Sequence, residues 1–375
     1  MNRAALLSLL LVACPKAPDD VRTVKVVDVP VQAAPPPLLP PRAEPRPSFR
    51  AGYTQSQPVL RHVEEAWGFT LGGPITSAVA ADESQVYATA NDTVYAFSAD
   101  GKRLWQSRIV GVQGVVAAGG SIVAGGDDGR VHFLDRESGK DVSVSEPGGA
   151  VVGWPVPIDG GWAWVTAEGT VATNTGWQHA TGARPVGRPA ADEGVVYFVS
   201  ADKRLIVVGA KGVEWEAPLP APPIDGPALD EDNVYVSFAA AAGKPGGVIA
   251  IARWGPMLGK ERWRFSSEFQ PLAAVGVDTA KVYSPDKDGN VYALDVFTGE
   301  LRWKSEGYGE FTTQPLVTPG SIYVGNSDGR LSRIDTYDGG RAWAANLGSP
   351  VTGQPAIVGG RIVVGLANGR LVGLE

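Results

Sequence analysis

The sequence predicts an all-β fold: an eight-bladed β-propeller of four-stranded antiparallel blades, closed by an N-terminal strand. Three observations carry this expectation. A strand-turn-strand unit recurs about every forty residues from His62 to the end. A turn dipeptide ending in Gly recurs in register, with Asp288-Gly289, Asp328-Gly329 and Asn368-Gly369 each forty residues apart. The two ends of the repeat region are each incomplete, and each supplies what the other lacks.

Composition agrees with many short strands joined by tight turns. The 375 residues are 44% hydrophobic and only 19% charged, and they include 48 Gly. The net charge of −7 argues against nucleic acid, which is bound through basic patches. Cys14 is the only cysteine, so neither an intramolecular disulfide nor a Cys-rich zinc site can form. His62, His132 and His179 have no metal-ligand spacing, and no cofactor or metal is expected.

The first element is an address. An apolar run from Ala4 to Ala13 follows Arg3, too short to span a bilayer but fitting a signal peptide. Its end, Leu11-Val12-Ala13-Cys14, resembles the lipobox of bacterial lipoproteins. That resemblance implies a signal peptide over 1–13, lipidation of Cys14 and a membrane anchor. Pro15 after the cysteine resembles outer-membrane sorting. The next element, 14–60, includes VQAAPPPLLPPRAEPRP (31–47), where Pro fixes φ and removes donors. It reads as an extended tether holding the propeller (61–375) away from a membrane.

The repeats begin with EEAWGFTLG (64–72), which reads as an isolated outer strand. A full unit is VTPGSIYVGNSDGRLSRIDTYDGGRAW (317–343): a strand, a Ser-Asp-Gly turn, a second strand, a Gly turn, and a strand entered by Trp. Asp-Gly between apolar runs predicts a two-residue hairpin turn with φ > 0. Turns of this kind recur at Asp128-Gly129 and Glu168-Gly169. The outer-strand Trp or its equivalent falls at Trp67, Trp105, near Ser143, Trp177, Trp215, Trp263, Trp303 and Trp343, which counts eight blades. A count of seven follows if the short unit ending TNTGW (173–177) merges with a neighbour. The chain stops at GRLVGLE (369–375), with Glu375 where Asp295 and Asp335 stand in earlier units. The last blade thus lacks its outer strand, and residues 64–72 would complete it in a closed, monomeric ring.

The most complete repeat is ALDVFTGELRW (293–303). Asp295 and Thr298 would bond neighbouring amides in a turn, Gly299 would supply φ > 0, and Trp303 would lay its indole on the adjoining blade. Asp335, Gly339 and Trp343 repeat the spacing, with Asp338 in the Thr place. The same residues at every blade point to packing and not to an active site.

Ala293, Asp295, Thr298, Gly299 and Trp303 match the tryptophan-docking motif, and the chain resembles the PQQ-like (quinoprotein-type) β-propellers over about 62–375. Two branches of that superfamily bear on function. The quinoprotein dehydrogenases bind pyrroloquinoline quinone and Ca²⁺, often beside a vicinal disulfide, which this chain cannot form. The lipid-anchored branch, typified by the BamB outer-membrane assembly factors, implies a non-catalytic scaffold that binds envelope proteins through its loops. The Pro-rich tether is not part of that branch's usual pattern. The expectation is therefore a lipid-anchored, periplasm-facing envelope scaffold at the outer membrane, not an enzyme, and BamB-like in resemblance. The alternative is a quinoprotein-type dehydrogenase or a propeller sensing a small molecule in its central channel.

Two stretches stand outside the repeat. The fifth unit, from Trp215 to Trp263, is longer than the others, with the excess in AAAAGKPGG (239–247) and RWGPMLGKERW (253–263). Trp254, Met257 and Leu258, beside Arg253, Lys260 and Arg262, are candidate exposed interface anchors. GWPVPIDGGWAWV (153–165) concentrates Trp154, Trp162 and Trp164, a density that fits strand packing better than a sugar-stacking platform.

Overall fold

Eight sheets of four antiparallel strands follow one another around a ring in the computed structural model, which describes Thr54 and residues 63–375 except 119, 147, 242, 267–269 and 308. The expected signal peptide, Cys14 and all of the tether but Thr54 lie outside the described residues. The Thr54 N–H donates to Val317 O (2.9 Å) on the innermost strand of the seventh blade. Blade 7 shows the plan: Leu316–Thr318 innermost, then Ser321–Gly325, Arg330–Asp335 and, outermost, Arg341–Asn346.

Blade 8 is built from both chain ends. Glu65–Thr70 pairs antiparallel with Arg370–Leu374, with Trp67 opposite Gly373 and Thr70 opposite Arg370. Glu64 and Glu375 exchange backbone hydrogen bonds of 3.0 Å, and Arg370 Nη2 meets Glu65 Oε1 at 2.5 Å. Closure removes the exposed strand edge that an open ring would leave. The count is eight: the short unit is a blade of its own, Val156–Ile158, Gly161–Val165, Thr170–Thr173 and Gln178–Ala180.

The Asp-Gly hairpins differ from the two-residue turns expected. Asn326 N–H donates to Arg330 O (3.0 Å) and Gly329 N–H donates to Asn326 O (3.2 Å). The loop is therefore three residues, Ser327-Asp328-Gly329, with Gly329 at φ 79. The same bonds recur around Gly169 and Gly369. A two-residue turn occurs in blade 1, where Ala90 pairs with Thr93 across Asn91 (φ 46) and Asp92 (φ 58).

The core lies between blades. One cluster joins Tyr283, Val291, Ala293 and Trp303 of blade 6 to Phe311, Val317, Ile322, Val324 and Ile334 of blade 7. Middle strands are consequently buried on both faces and read as apolar runs, as in Gln85–Ala90, whereas the outer strand Arg341–Asn346 alternates.

The repeated motif sits at these interfaces. Asp295 Oδ1 accepts the N–H groups of Phe297 and Thr298 (2.9 Å each), and Thr298 Oγ1 accepts that of Glu300 (3.3 Å). Trp303 pairs with Ala293 across its own sheet and is 2% exposed. Its Nε1 donates to Thr336 O of blade 7 (3.1 Å), and its ring lies against Gly339, where an added Cβ would stand 2.6 Å from Cε3. Trp263 likewise donates to Val296 O (3.0 Å) and covers Gly299 (φ 71), whose Cβ would stand 2.6 Å from Cδ2. Trp105 does the same to Arg136 O and Gly139, and Trp67 to Ala99 O and Gly101. The motif glycine thus serves twice, for its backbone and as the floor under the preceding blade's indole.

A tyrosine backs five of the tryptophans. Tyr87, Tyr197, Tyr235, Tyr283 and Tyr323 stack on the tryptophan of their own blade at 5.7–6.2 Å between centroids. Tyr283 OH donates to Asp278 Oδ2 (2.6 Å), while Asp278 Oδ1 accepts from Ala280 and Lys281 (2.7 Å each). Asp82 with Tyr87 and Asp230 with Tyr235 repeat this arrangement. Asp82 is also held across blades by Arg136 Nε (2.8 Å). Burial pushes its carboxyl up, but Arg136, the Ser84 and Gln85 amides and Tyr87 outweigh this and hold it at about 2.

Three outcomes follow. Trp303→Ala should cost about 3–5 kcal/mol in urea denaturation, since a large buried ring is removed. Gly299→Ala should cost clearly more than Gly320→Ala: both residues have positive φ, but only Gly299 has an indole within contact while Gly320 faces open space. Equal costs would remove the indole from the account. The folded pKa of Asp82 lies below its unfolded value, so its contribution is present above about 3.8 and lost as pH falls through about 2. Arg136→Met should raise the Asp82 pKa toward 3.8, measured by NMR titration.

Candidate functional site

Antiparallel winding gives the ring two unlike faces. The turns between first and second strands and between third and fourth strands lie on one face, here the upper. The turns between second and third strands and the links between blades lie on the lower. Asp295, Thr298, Gly299, Asp335 and Gly339 belong to upper-face turns, and their polar groups and backbones are occupied by the turns and docks described above. Tyr337 N–H donates to Asp335 Oδ1 (2.7 Å), and Asp338 Oδ1 accepts from Gly340 (2.8 Å). Trp343, half-buried, stacks on Tyr323.

The long blade-5 loop also lies on the upper face. Met257 (38% exposed) and Leu258 (44%) project from a 3-10 turn, Gly255–Met257. Trp254 differs from the expectation: it is half-buried and its Nε1 donates to Glu231 O (3.2 Å). Arg253 differs more. Its side chain is buried, ion-paired with Asp192 of blade 4, bonded to the Asp230 carbonyl and set over the Tyr197 ring at 5.0 Å. It is an interblade brace, matching Arg136 in blade 2, and is no part of an exposed rim. The next two blades extend the apolar surface: Phe297 is 55% exposed and Tyr337 88%. The corresponding turns of blades 1 and 2 carry Asp100 and Glu137. Exposed apolar side chains thus form an arc on the upper turns of blades 5, 6 and 7. Phe297 and Tyr337 were hidden in the sequence because they occupy the variable places of the docking motif.

The lower mouth of the central channel holds a cavity of about 360 Å³. Every blade contributes to its wall, from residues just before its first strand or, in blade 4, from the bulge within it. Arg188 of blade 4 reaches across to blade 8, its Nη1 donating to Gln354 Oε1 (3.2 Å), and its guanidinium lies 4.9 Å from the Trp154 ring centre. Burial pushes the Arg188 pKa down, while Asp225 acts in the opposite direction. The three tryptophans of 153–165 therefore part company: Trp162 and Trp164 are buried in a strand, and Trp154 lines the channel. His132 is buried with Nδ1 3.0 Å from Asp141 and Nε2 3.2 Å from Asp128. Among the described residues no group of His, Asp and Glu is arranged to hold a metal ion.

Comparison with known proteins places this geometry. No curated protein gives a significant match. Among solved structures, BamB from Moraxella catarrhalis superposes with a TM-score of 0.67 at 19% identity, covering 84% of this chain and 98% of that one. The computationally designed Ika8 protein superposes with a TM-score of 0.67 at 18% identity, covering 81% and 98%. Saccharomyces cerevisiae Sqt1 does so with 0.68 at 12% identity, covering 82% and 97%. At these identities the superpositions speak for the fold alone. The sequence model described as "Outer membrane protein assembly factor BamB" matches residues 63–254 and 246–375, nearly the whole ring. The chain belongs to the outer membrane protein assembly factor BamB family.

Proposed function

We propose that the protein is a non-catalytic, lipid-anchored scaffold of the bacterial envelope that binds other envelope proteins through its propeller loops, as a BamB-like outer-membrane assembly factor. Membership of the family supports the class of function. The observation that carries the docking reading is the arc of Met257, Leu258, Phe297 and Tyr337 on one face of three adjacent blades. Exposed apolar and aromatic side chains held on a rigid ring are suited to anchor a partner. The repeated Asp, Thr, Gly and Trp residues serve turns and blade packing, which supports a scaffold reading. Cys14 and the Pro-rich tether support anchoring at the outer membrane with the ring in the periplasm.

The test is capture from detergent-solubilised envelope with the anchor intact. Met257→Ser, Leu258→Ser and Phe297→Ser combined should weaken capture of the co-purifying envelope protein by about thirtyfold or more while circular dichroism stays unchanged. Unaltered capture would move the interface away from this arc. Cys14→Ser should abolish lipid labelling and release the protein from the membrane fraction; unchanged retention would overturn the anchor. Turnover of alcohols or sugars with added pyrroloquinoline quinone and Ca²⁺ would overturn the scaffold reading.

A further inference from the structure

The channel wall breaks the repeat in a directed way. Two residues before the inner-strand partners of Tyr87, Val123, Tyr235 and Tyr283 stand Ala78, Gly114, Gly226 and Ala274, in blades 1, 2, 5 and 6. Two residues before the partners of Ala163, Tyr197, Tyr323 and Val363, in blades 3, 4, 7 and 8, stand Trp154, Arg188, Gln314 and Gln354. Large polar or aromatic side chains thus enter from two opposed pairs of blades, and small residues leave room between them. Packing alone gives no reason to put an arginine there.

The local backbone is shaped around Arg188. The strand Pro185–Asp192 is bulged between Val186 and Ala190, which takes Arg188 out of the regular ladder and re-aims it. Three glycines clear its surroundings. A Cβ at Gly153 would stand 2.8 Å from Arg188 Cα, one at Gly226 would stand 1.8 Å from Arg188 O, and one at Gly187 would stand 2.2 Å from Asp225 Oδ1. The last distance also places the Asp225 carboxylate beside the residue that precedes Arg188.

A guanidinium has five N–H donors. Among the described residues Arg188 has one hydrogen bond, to Gln354, one ring face, Trp154, and no carboxylate at ion-pair distance. Arg188 is half-buried and borders the cavity, where an anion could take its remaining donors. Asp225 Oδ1 accepts from its own blade's Gly226 N–H (2.7 Å), leaving its other acceptor sites without a protein donor among the described residues. Gln314, only 5% exposed, has an Oε1 with no partner. The cavity falls in the size range of small-ligand pockets.

We propose that the lower mouth of the channel is a binding site for a small α-amino or α-hydroxy carboxylate. The ligand carboxylate takes the planar fork of Arg188. Its ammonium or hydroxyl group faces Asp225, and Trp154, Val152 and Leu272 line the space for a short apolar remainder. Arg188 and Asp225 together are neutral, so a zwitterion keeps the site neutral and a hydroxy carboxylate leaves one negative charge, whereas a phosphate dianion beside Asp225 leaves two. No bond is made or broken. The ligand would brace opposed blades across the channel.

The test is isothermal titration calorimetry on the full chain with L-serine, L-lactate, acetate and inorganic phosphate. L-serine and L-lactate should bind saturably and raise the melting temperature. Acetate, lacking the second group, should bind at least about tenfold more weakly. Arg188→Gln should lower affinity for serine and lactate by at least about tenfold. Asp225→Asn should weaken serine more than lactate. Should Arg188→Gln fail to fold, Arg188→Lys keeps the charge but loses the fork and should still weaken both ligands about tenfold. The proposal is overturned if neither serine nor lactate binds saturably at about 10 mM, well above the millimolar scale of weak sites. It is equally overturned if phosphate alone binds, or if the folded Arg188 variant binds as before.

Discussion

The ring depends on one recurring contact: an indole laid on the turn of the next blade, as at Trp67, Trp105, Trp263 and Trp303. A four-stranded blade is too small to bury its own faces, and its middle strands are apolar on both sides. The cost of leaving them wet is removed only when a neighbour covers them. The indole does this while also donating its N–H to a fixed carbonyl, so it specifies the position of the neighbour as well as attracting it. Trp303 on Gly339 and Trp263 on Gly299 show why the floor must be glycine: any side chain there would occupy the space of the ring. Trp67 on Gly101 docks the outer strand of blade 8 on blade 1, so the same interaction that spaces the blades also spans the junction where the strand pairing of the two ends closes the circle.

That constraint divides the molecule into parts that must repeat and parts that are free to differ. Strands, motif turns and their tyrosines repeat because each must meet the same neighbour. Loop tips and the residues bordering the channel meet solvent or one another, and there the blades diverge. The apolar arc on blades 5 to 7 and the Arg188 cluster lie on opposite faces, each at positions that the docking contact leaves unconstrained. The proposed docking face and the proposed ligand site can therefore differ between blades without compromising the packing.

Most of the fold was legible in the sequence because its rules are local and repeated. The forty-residue period, the incomplete ends and the Gly turns led to eight blades closed by residues 64–72, and the structure has that architecture. The hairpin length differs from the expectation: an Asp-Gly pair serves a three-residue loop as readily as a two-residue one, since each offers its Gly a position at positive φ. The tyrosine of each dock went unread although its signal was present. An Asp five residues before a Tyr recurs at Asp82-Tyr87, Asp192-Tyr197, Asp230-Tyr235 and Asp278-Tyr283. The candidate interface was legible only in part. Met257 and Leu258 are exposed, but Arg253 follows the loop's charge pattern while its position in the ring makes it a buried brace.

The sequence by itself determined the repeat, its count, its closure and the residue types that each turn requires, because these follow from periodicity and backbone stereochemistry within a few residues. Tertiary structure decided which residues meet. Arg188 and Gln354 are far apart in the chain and touch because the ring places blades 4 and 8 opposite one another. Gly339 lies under Trp303 because one blade's outer strand faces the next blade's turn. Convergence of this kind depends on the closed geometry of all eight blades at once, and no local pattern encodes it.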